Sequence, residues 1–147
     1  MNKKVVIVDH RFPNVELETQ VLSKIGVVPI DAKIQSDEEF LAVAGDADAI
    51  IVRAYPITEK LISKLTKCKV IVRYGVGVEN IDVQAATRYG IYVANVPDYC
   101  TEEVAGFAFT LIMCLARKVI PSAQIGRSLN WTIKPLSPIR RVRGQTL

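Results

Sequence analysis

The stretch "VIVRYGVGVENID", residues 70–82, decides the architecture. It opens as a continuously apolar run, as a strand covered on both faces does, and turns on two glycines one residue apart. It then passes Asn80 and Asp82, either of which can cap a following helix. Strand, glycine turn and helix in that order make one βα unit of a parallel sheet.

Similar units flank it. "KVVIVD" ends at Asp9, "PNVELETQVLSKIG" reads as a helix closed by Gly26, "VVPIDA" as a second strand, and "SDEEFLAVAG" as another glycine-closed helix. Then come "AIIVRA", the helix "TEKLISKL", "KVIVRY", the short helix "DVQAATRYG" and "IYVANV". Strands near Val5, Val28, Ile51, Ile71 and Tyr92, separated by helices, predict an α/β fold: a flavodoxin-like parallel sheet with helices on both faces, over residues 1–100.

The pattern changes at "NVPDYCTEEVAGFAFTLIMCLARKVIP". Thr101 suits an N-cap, Glu102 and Glu103 the positive helix start, Arg117 and Lys118 the other end, and Pro121 a stop, which predicts one long helix over residues 101–120. Between Val104 and Ala116 only Thr110 is polar. That run is shorter than the roughly 20 apolar residues a bilayer requires, so burial in protein is expected. On one reading its far side meets a second domain or subunit, whose backbone could approach Ala105, Gly106 and Ala108; on the other it is an ordinary core helix. Residues 121–147 read as a basic connecting arm.

At 147 residues, 50% of them apolar, the chain suits one ordinary domain with a buried core. The net charge of +4 hides an asymmetry: residues 117–147 hold 7 basic side chains and none acidic, leaving the rest at −3. Those basic residues are interleaved with Pro, Ile, Leu and Trp and form no dense run, which argues against a nucleic-acid or membrane-surface ligand. The 3 cysteines, Cys68, Cys100 and Cys114, lack metal-ligand or redox spacing, and the apolar part of "MNKKVVIVDH" is too short for a signal peptide. A cytoplasmic location with reduced thiols is expected.

Ligands of open parallel sheets bind beyond the carboxyl ends of the strands. Here those positions are Asp9-His10, Arg53-Ala54, Arg73-Tyr74-Gly75 and Pro97-Asp98. Gly75-Val76-Gly77 lets the backbone turn sharply and offer amide N–H groups to an anion. A dinucleotide fingerprint would need a third glycine where Asn80 stands, so turn glycines and ligand glycines both stay open. Arg53 and Arg73 end successive strands and should project at one rim, to grip a carboxylate or phosphate or to pair with Asp9, Asp31 or Asp98. His10 has no carboxylate to orient it beyond its neighbour Asp9, which argues against acid–base work. Glu102 and Glu103 oppose ionisation of Cys100, which reads as a packed thiol. A two-component receiver domain is excluded by Arg53-Ala54 and Pro97, where that chemistry needs an aspartate and a lysine.

The stretch "RYGVGVENIDVQAATRYGIYVANVPDYCTEEVAG", residues 73–106, resembles the D-isomer-specific 2-hydroxyacid dehydrogenases, most closely the branch related to the C-terminal-binding protein corepressors and phosphoglycerate dehydrogenase. The likeness runs the length of the chain, and "PIRRVRGQTL" is similar to the family's lead-in to its nucleotide-binding strand. The resemblance implies a substrate domain split in sequence, with residues 101–120 as a crossover helix toward a Rossmann domain not contained in these residues. It implies that the amides of Gly75, Val76 and Gly77 hold the substrate carboxylate, and that Val76 also touches the nicotinamide. Arg53 and Arg73 would lie near the substrate, able to meet a phosphate or second carboxylate. Cys100 joins this substrate-binding set, at a place where many relatives carry Asn or Ser.

The family's catalytic arginine, glutamate and histidine, and its G-x-G-x-x-G loop, fall after position 147, so no catalytic residue is expected in this chain. The cofactor implied is NAD, bound mostly by the other domain, with NADP left open. The partners implied are a small 2-hydroxy or 2-keto acid and a second copy docked through residues 101–120. The function implied is the substrate-domain part of an NAD-dependent oxidoreductase interconverting a small D-2-hydroxy acid and its 2-keto acid, the 147 residues alone being inactive. The alternatives are 3-phosphoglycerate oxidation, an NAD(H)-sensing corepressor-like binding protein, and a stand-alone interaction domain.

Overall fold

Val and Ile favour a pleated backbone, and β1 (Val5–Val8) is built of nothing else and is buried along its whole length. In the computed structural model, which describes residues 3–129 and 131–146, it lies second in a five-stranded sheet. The order is β2-β1-β3-β4-β5, with β2 (Ile30–Ala32), β3 (Ala49–Val52), β4 (Val70–Arg73) and β5 (Tyr92–Ala94). Every pairing is parallel, which is the flavodoxin-like arrangement expected. The edge strands β2 and β5 are the exposed ones. β2 is shorter than "VVPIDA" suggested, because Pro29 has no N–H to add to a ladder; Val28 lies outside it, exposed.

Helices α1 (Glu16–Ser23), α2 (Asp37–Ala44), α3 (Glu59–Ile62) and α4 (Val83–Arg88) connect the strands. Gly26 leaves α1 at φ 73°, the left-handed region that glycine enters without strain. The Ser36 hydroxyl accepts the Glu39 N–H at 3.2 Å, while Glu39 accepts the Gln35 N–H at 2.8 Å, closing the start of α2 from both sides. Asp82, not Asn80, caps α4, accepting the Ala85 N–H at 2.8 Å. Phe40, Ile50, Ile57, Leu61, Ile62 and Ile71 are fully buried and form the centre of the core. At the amino ends of the strands, Asp48 gathers the chain: its carboxylate accepts the Lys3 ammonium at 2.8 Å and the Lys4 N–H at 2.9 Å, and its carbonyl accepts the Lys69 N–H at 2.9 Å.

This sheet unit ends at Tyr99, and a second compact unit begins at Cys100. It holds α5 (Thr101–Ala116), α6 (Val119–Arg127) and a 3₁₀ turn (Lys134–Leu136). Cys100, not Thr101, is the N-cap of α5. The single helix expected to reach Pro121 instead breaks at Arg117 and Lys118, where Lys118 takes φ 53° and the axis bends by 60°. Pro121 falls in the first turn of α6, where no intrahelical N–H is required, so it starts a helix and does not stop one. The arm expected after residue 120 is therefore helical as far as Arg127. Nothing in α5 is buried: Phe107 is 66% and Leu115 80% exposed. Among the described residues no single helix is long and apolar enough to cross a membrane; α5 and α6 meet that length and composition only together, across their bend. The terminal residues Met1 and Leu147, which bound the expected domains, lie outside the described residues.

Candidate functional site

The parallel register aligns the exits of β3 and β4. Val52 is level with Arg73, and the Tyr74 N–H donates to the Val52 carbonyl at 2.8 Å. Asp9, just beyond β1 at φ 54°, folds its carboxylate over the next exit, accepting the backbone N–H groups of Arg53 at 2.8 Å and of Ala54 and Tyr55 at 2.7 Å. The alternative pairing of the arginines with Asp9 or Asp31 is not what forms: Asp9 serves these amides, and Asp31 binds His10. Arg73 turns back, its Nε donating to the Arg53 carbonyl at 3.1 Å.

Gly75 sits at φ 138°, and its N–H donates to the Arg73 carbonyl at 2.9 Å. A side chain there would overlap the Arg73 guanidinium, which lies across the glycine. The Gly75 amide is thus engaged within the turn itself. The N–H groups of Val76 and Gly77 donate to no described residue. The Val76 carbonyl is held by the Asn95 side chain at 2.7 Å, and the Gly75 carbonyl by the Val96 N–H at 3.0 Å, which fixes the turn against the segment after β5. The Glu79 carboxylate lies against Gly77, so an anion arriving at these amides must displace a flexible side chain. Asn80 donates to the Tyr55 carbonyl at 3.0 Å, tying this loop to the one Asp9 holds.

Beside the turn opens a cleft of about 320 Å³ lined by Phe12, Arg53, Tyr74, Gly75, Val96 and Tyr99. The structure thus places Arg53, Arg73, Gly75, Val76 and Gly77 at one rim. Cys100 belongs to the second unit, half-buried at the head of α5. Cys68 is buried, and burial pushes its thiol up to about 11.

Several contacts of this region carry no sequence signal. His10 Nε2 lies 2.8 Å from Asp31 Oδ1, so the histidine does have a carboxylate partner, supplied by neighbouring β2. Its Nδ1 is buried with no partner among the described residues. The His10 ring stacks on Phe12 at 6.4 Å, and Phe12 meets Tyr74 edge-on at 5.4 Å. The Tyr74 hydroxyl donates to Glu18 at 2.8 Å, and burial, reinforced by Glu18, raises its pKa above the ordinary phenol value. Chemically the rim can bind and orient an anion through two amides and the Arg53 guanidinium. For a dinucleotide the residues fit only an edge, since exposed Val76 could face a flat ring while Asn80 fills the third glycine's place.

A family model described as the catalytic domain of D-isomer specific 2-hydroxyacid dehydrogenase matches residues 5–133. D-3-phosphoglycerate dehydrogenase of Methanocaldococcus jannaschii is 35% identical over 98% of this chain, and glyoxylate reductase of Korarchaeum cryptofilum 38% identical over 60%. The chain spans 27% of the length of each of these relatives. The crystal structure of NAD+-bound 3-phosphoglycerate dehydrogenase from Entamoeba histolytica superposes with a TM-score of 0.68 at 29% identity, covering 80% of this chain and 40% of that one.

Proposed function

The chain belongs to the D-isomer specific 2-hydroxyacid dehydrogenase family, and from that premise we propose that its first unit is the substrate-holding part of an NAD-dependent oxidoreductase interconverting a small D-2-hydroxy acid and its 2-keto acid. The observation that carries this reading is the pair of N–H groups on Val76 and Gly77, which donate to no described residue and follow a glycine that lines the same cleft as Arg53. The two amides would bind the substrate carboxylate, and Gly75 would shape the turn. Arg53 would add a positive charge at the cleft, while the Arg73 guanidinium lies across Gly75 with its Nε on the Arg53 carbonyl. Val76 would lie against the nicotinamide, which when bound accepts or delivers the hydride. His10 is not placed to exchange a proton with the acid, because its Nε2 is held by Asp31 and its other ring nitrogen, Nδ1, is buried. A cytoplasmic location and a homodimer joined through α5, whose apolar side chains are exposed here, complete the proposal.

Oxalate, which presents the same carboxylate without reacting, tests the site. In an amide NMR titration of the chain, the largest shifts are expected at Val76 and Gly77. Shifts confined to other segments would refute the assignment.

A further inference from the structure

We propose that this site is shaped for a 2-hydroxy or 2-keto acid bearing a ring-sized apolar substituent, an aryl-substituted acid, in preference to a methyl-sized or phosphorylated one. The inference rests on the reading that Val76 and Gly77 hold the acid's carboxylate, and it concerns what lies next to it. The cleft adjoins that turn through Gly75, and four of its six lining residues are Phe12, Tyr74, Val96 and Tyr99. Its volume of about 320 Å³ has room for a benzene ring on a three-carbon acid.

Several polar groups around these walls are engaged elsewhere. The Tyr74 hydroxyl donates to Glu18, the Arg73 Nε to the Arg53 carbonyl, and the Gly75 amide to the Arg73 carbonyl. The lining is three rings, one aliphatic side chain, Gly75 and Arg53, its one charged residue. A phosphate carries close to two charges and is held by several converging donors, and a lining with one charged residue falls short of that. An aromatic ring needs apolar walls placed for edge or offset contact, which this cleft supplies.

The walls are also braced from behind. Phe12 stands edge-on to Tyr74, with an interplanar angle of 78°, and is backed by the His10 ring lying within 12° of parallel. His10 is in turn fixed by Asp31 at 2.8 Å. Phe12 is nevertheless 51% exposed and Tyr99 63%, so substantial aromatic surface is left for a ligand to cover. A wall fixed in advance loses little freedom when a ring docks on it.

The test is calorimetric titration of the chain with D-phenyllactate, D-lactate, 3-phosphoglycerate and oxalate. D-phenyllactate is expected to bind at least about tenfold more tightly than D-lactate or 3-phosphoglycerate, as burial of a ring in an apolar pocket implies. Phe12→Ala should collapse the D-phenyllactate to D-lactate ratio to within about twofold, and Tyr99→Ala should reduce it in the same direction. Equal affinities for the two hydroxy acids, tightest binding of 3-phosphoglycerate, or a ratio unchanged in both variants would overturn the inference. If oxalate binds at Val76 and Gly77 but the phenyl group gains nothing, the aromatic preference alone falls. If oxalate leaves those amides unmoved, the carboxylate site falls with it.

Discussion

Tyr55 donates its backbone N–H to the Asp9 carboxylate at 2.7 Å, across 46 positions of sequence. With Arg53 and Ala54 bound to the same carboxylate, Asp9 sets the course of the chain as it leaves β3, and hence where Arg53 begins. Asp9→Ala is expected to destabilise the fold by about 2–4 kcal/mol, since three N–H groups lose a charged acceptor and alanine resists positive φ. Asp9→Asn tolerates that backbone and keeps an acceptor oxygen, so about 1 kcal/mol is expected. Urea unfolding of the two variants checks the order; equal losses would mean that the carboxylate is not what holds the loop.

Gly75 and Gly77 should respond differently to alanine. At Gly75 the φ of 138° and the overlying Arg73 guanidinium both oppose a side chain, so Gly75→Ala should cost about 1–3 kcal/mol and abolish the oxalate shifts at Val76 and Gly77. At Gly77 only the end of the Glu79 side chain must move, and the cost should stay below about 1 kcal/mol. Unfolding midpoints with the amide titration separate the two cases.

Burial keeps the Cys68 thiol protonated up to about 11, against 9.0 for an unhindered thiol. Because the folded state holds the proton more tightly, the associated stability is fully present below pH 9 and is lost as pH rises through 11. Tyr55 and Tyr74 are also raised, chiefly by burial, and add to the same alkaline decline. Cys68→Val should flatten the decline between those limits, measured as urea midpoints against pH. At pH 8, iodoacetamide should label the half-buried Cys100 and Cys114 well before Cys68.

If α5 is where two copies meet, an acidic residue in the middle of its exposed apolar surface must separate them. Phe107→Asp should convert a concentration-dependent mass into a monomer in sedimentation, without moving the oxalate affinity. A monomer before substitution would refute the interface.

The sheet was legible because its signals are local: apolar runs of strand length, helical periodicity and glycines at the exits. Gly26 and the Ser36 and Asp82 caps act within a few residues of where they stand. The His10–Asp31 pair was not legible, because it depends on β1 and β2 lying side by side, 21 positions apart in the chain. Phe12 and Tyr74 meet for the same reason: only the folded sheet brings the loop after β1 to the exit of β4. The break at Lys118 left no mark either, since lysine has no preference for positive φ, and Pro121 is compatible with both a helix end and a helix start. The apolar run from Val104 to Ala116 reported a need for cover, but periodicity cannot name what provides it.

The Asp48 cluster, with Lys3, Lys4 and Lys69 around it, closes the margin of the sheet farthest along the strands from the anion turn. One margin recognises and the other fastens, with the rigid length of each strand between them. A substitution at Lys3 therefore acts on the fastened margin, a strand's length away from the residues that would meet a ligand.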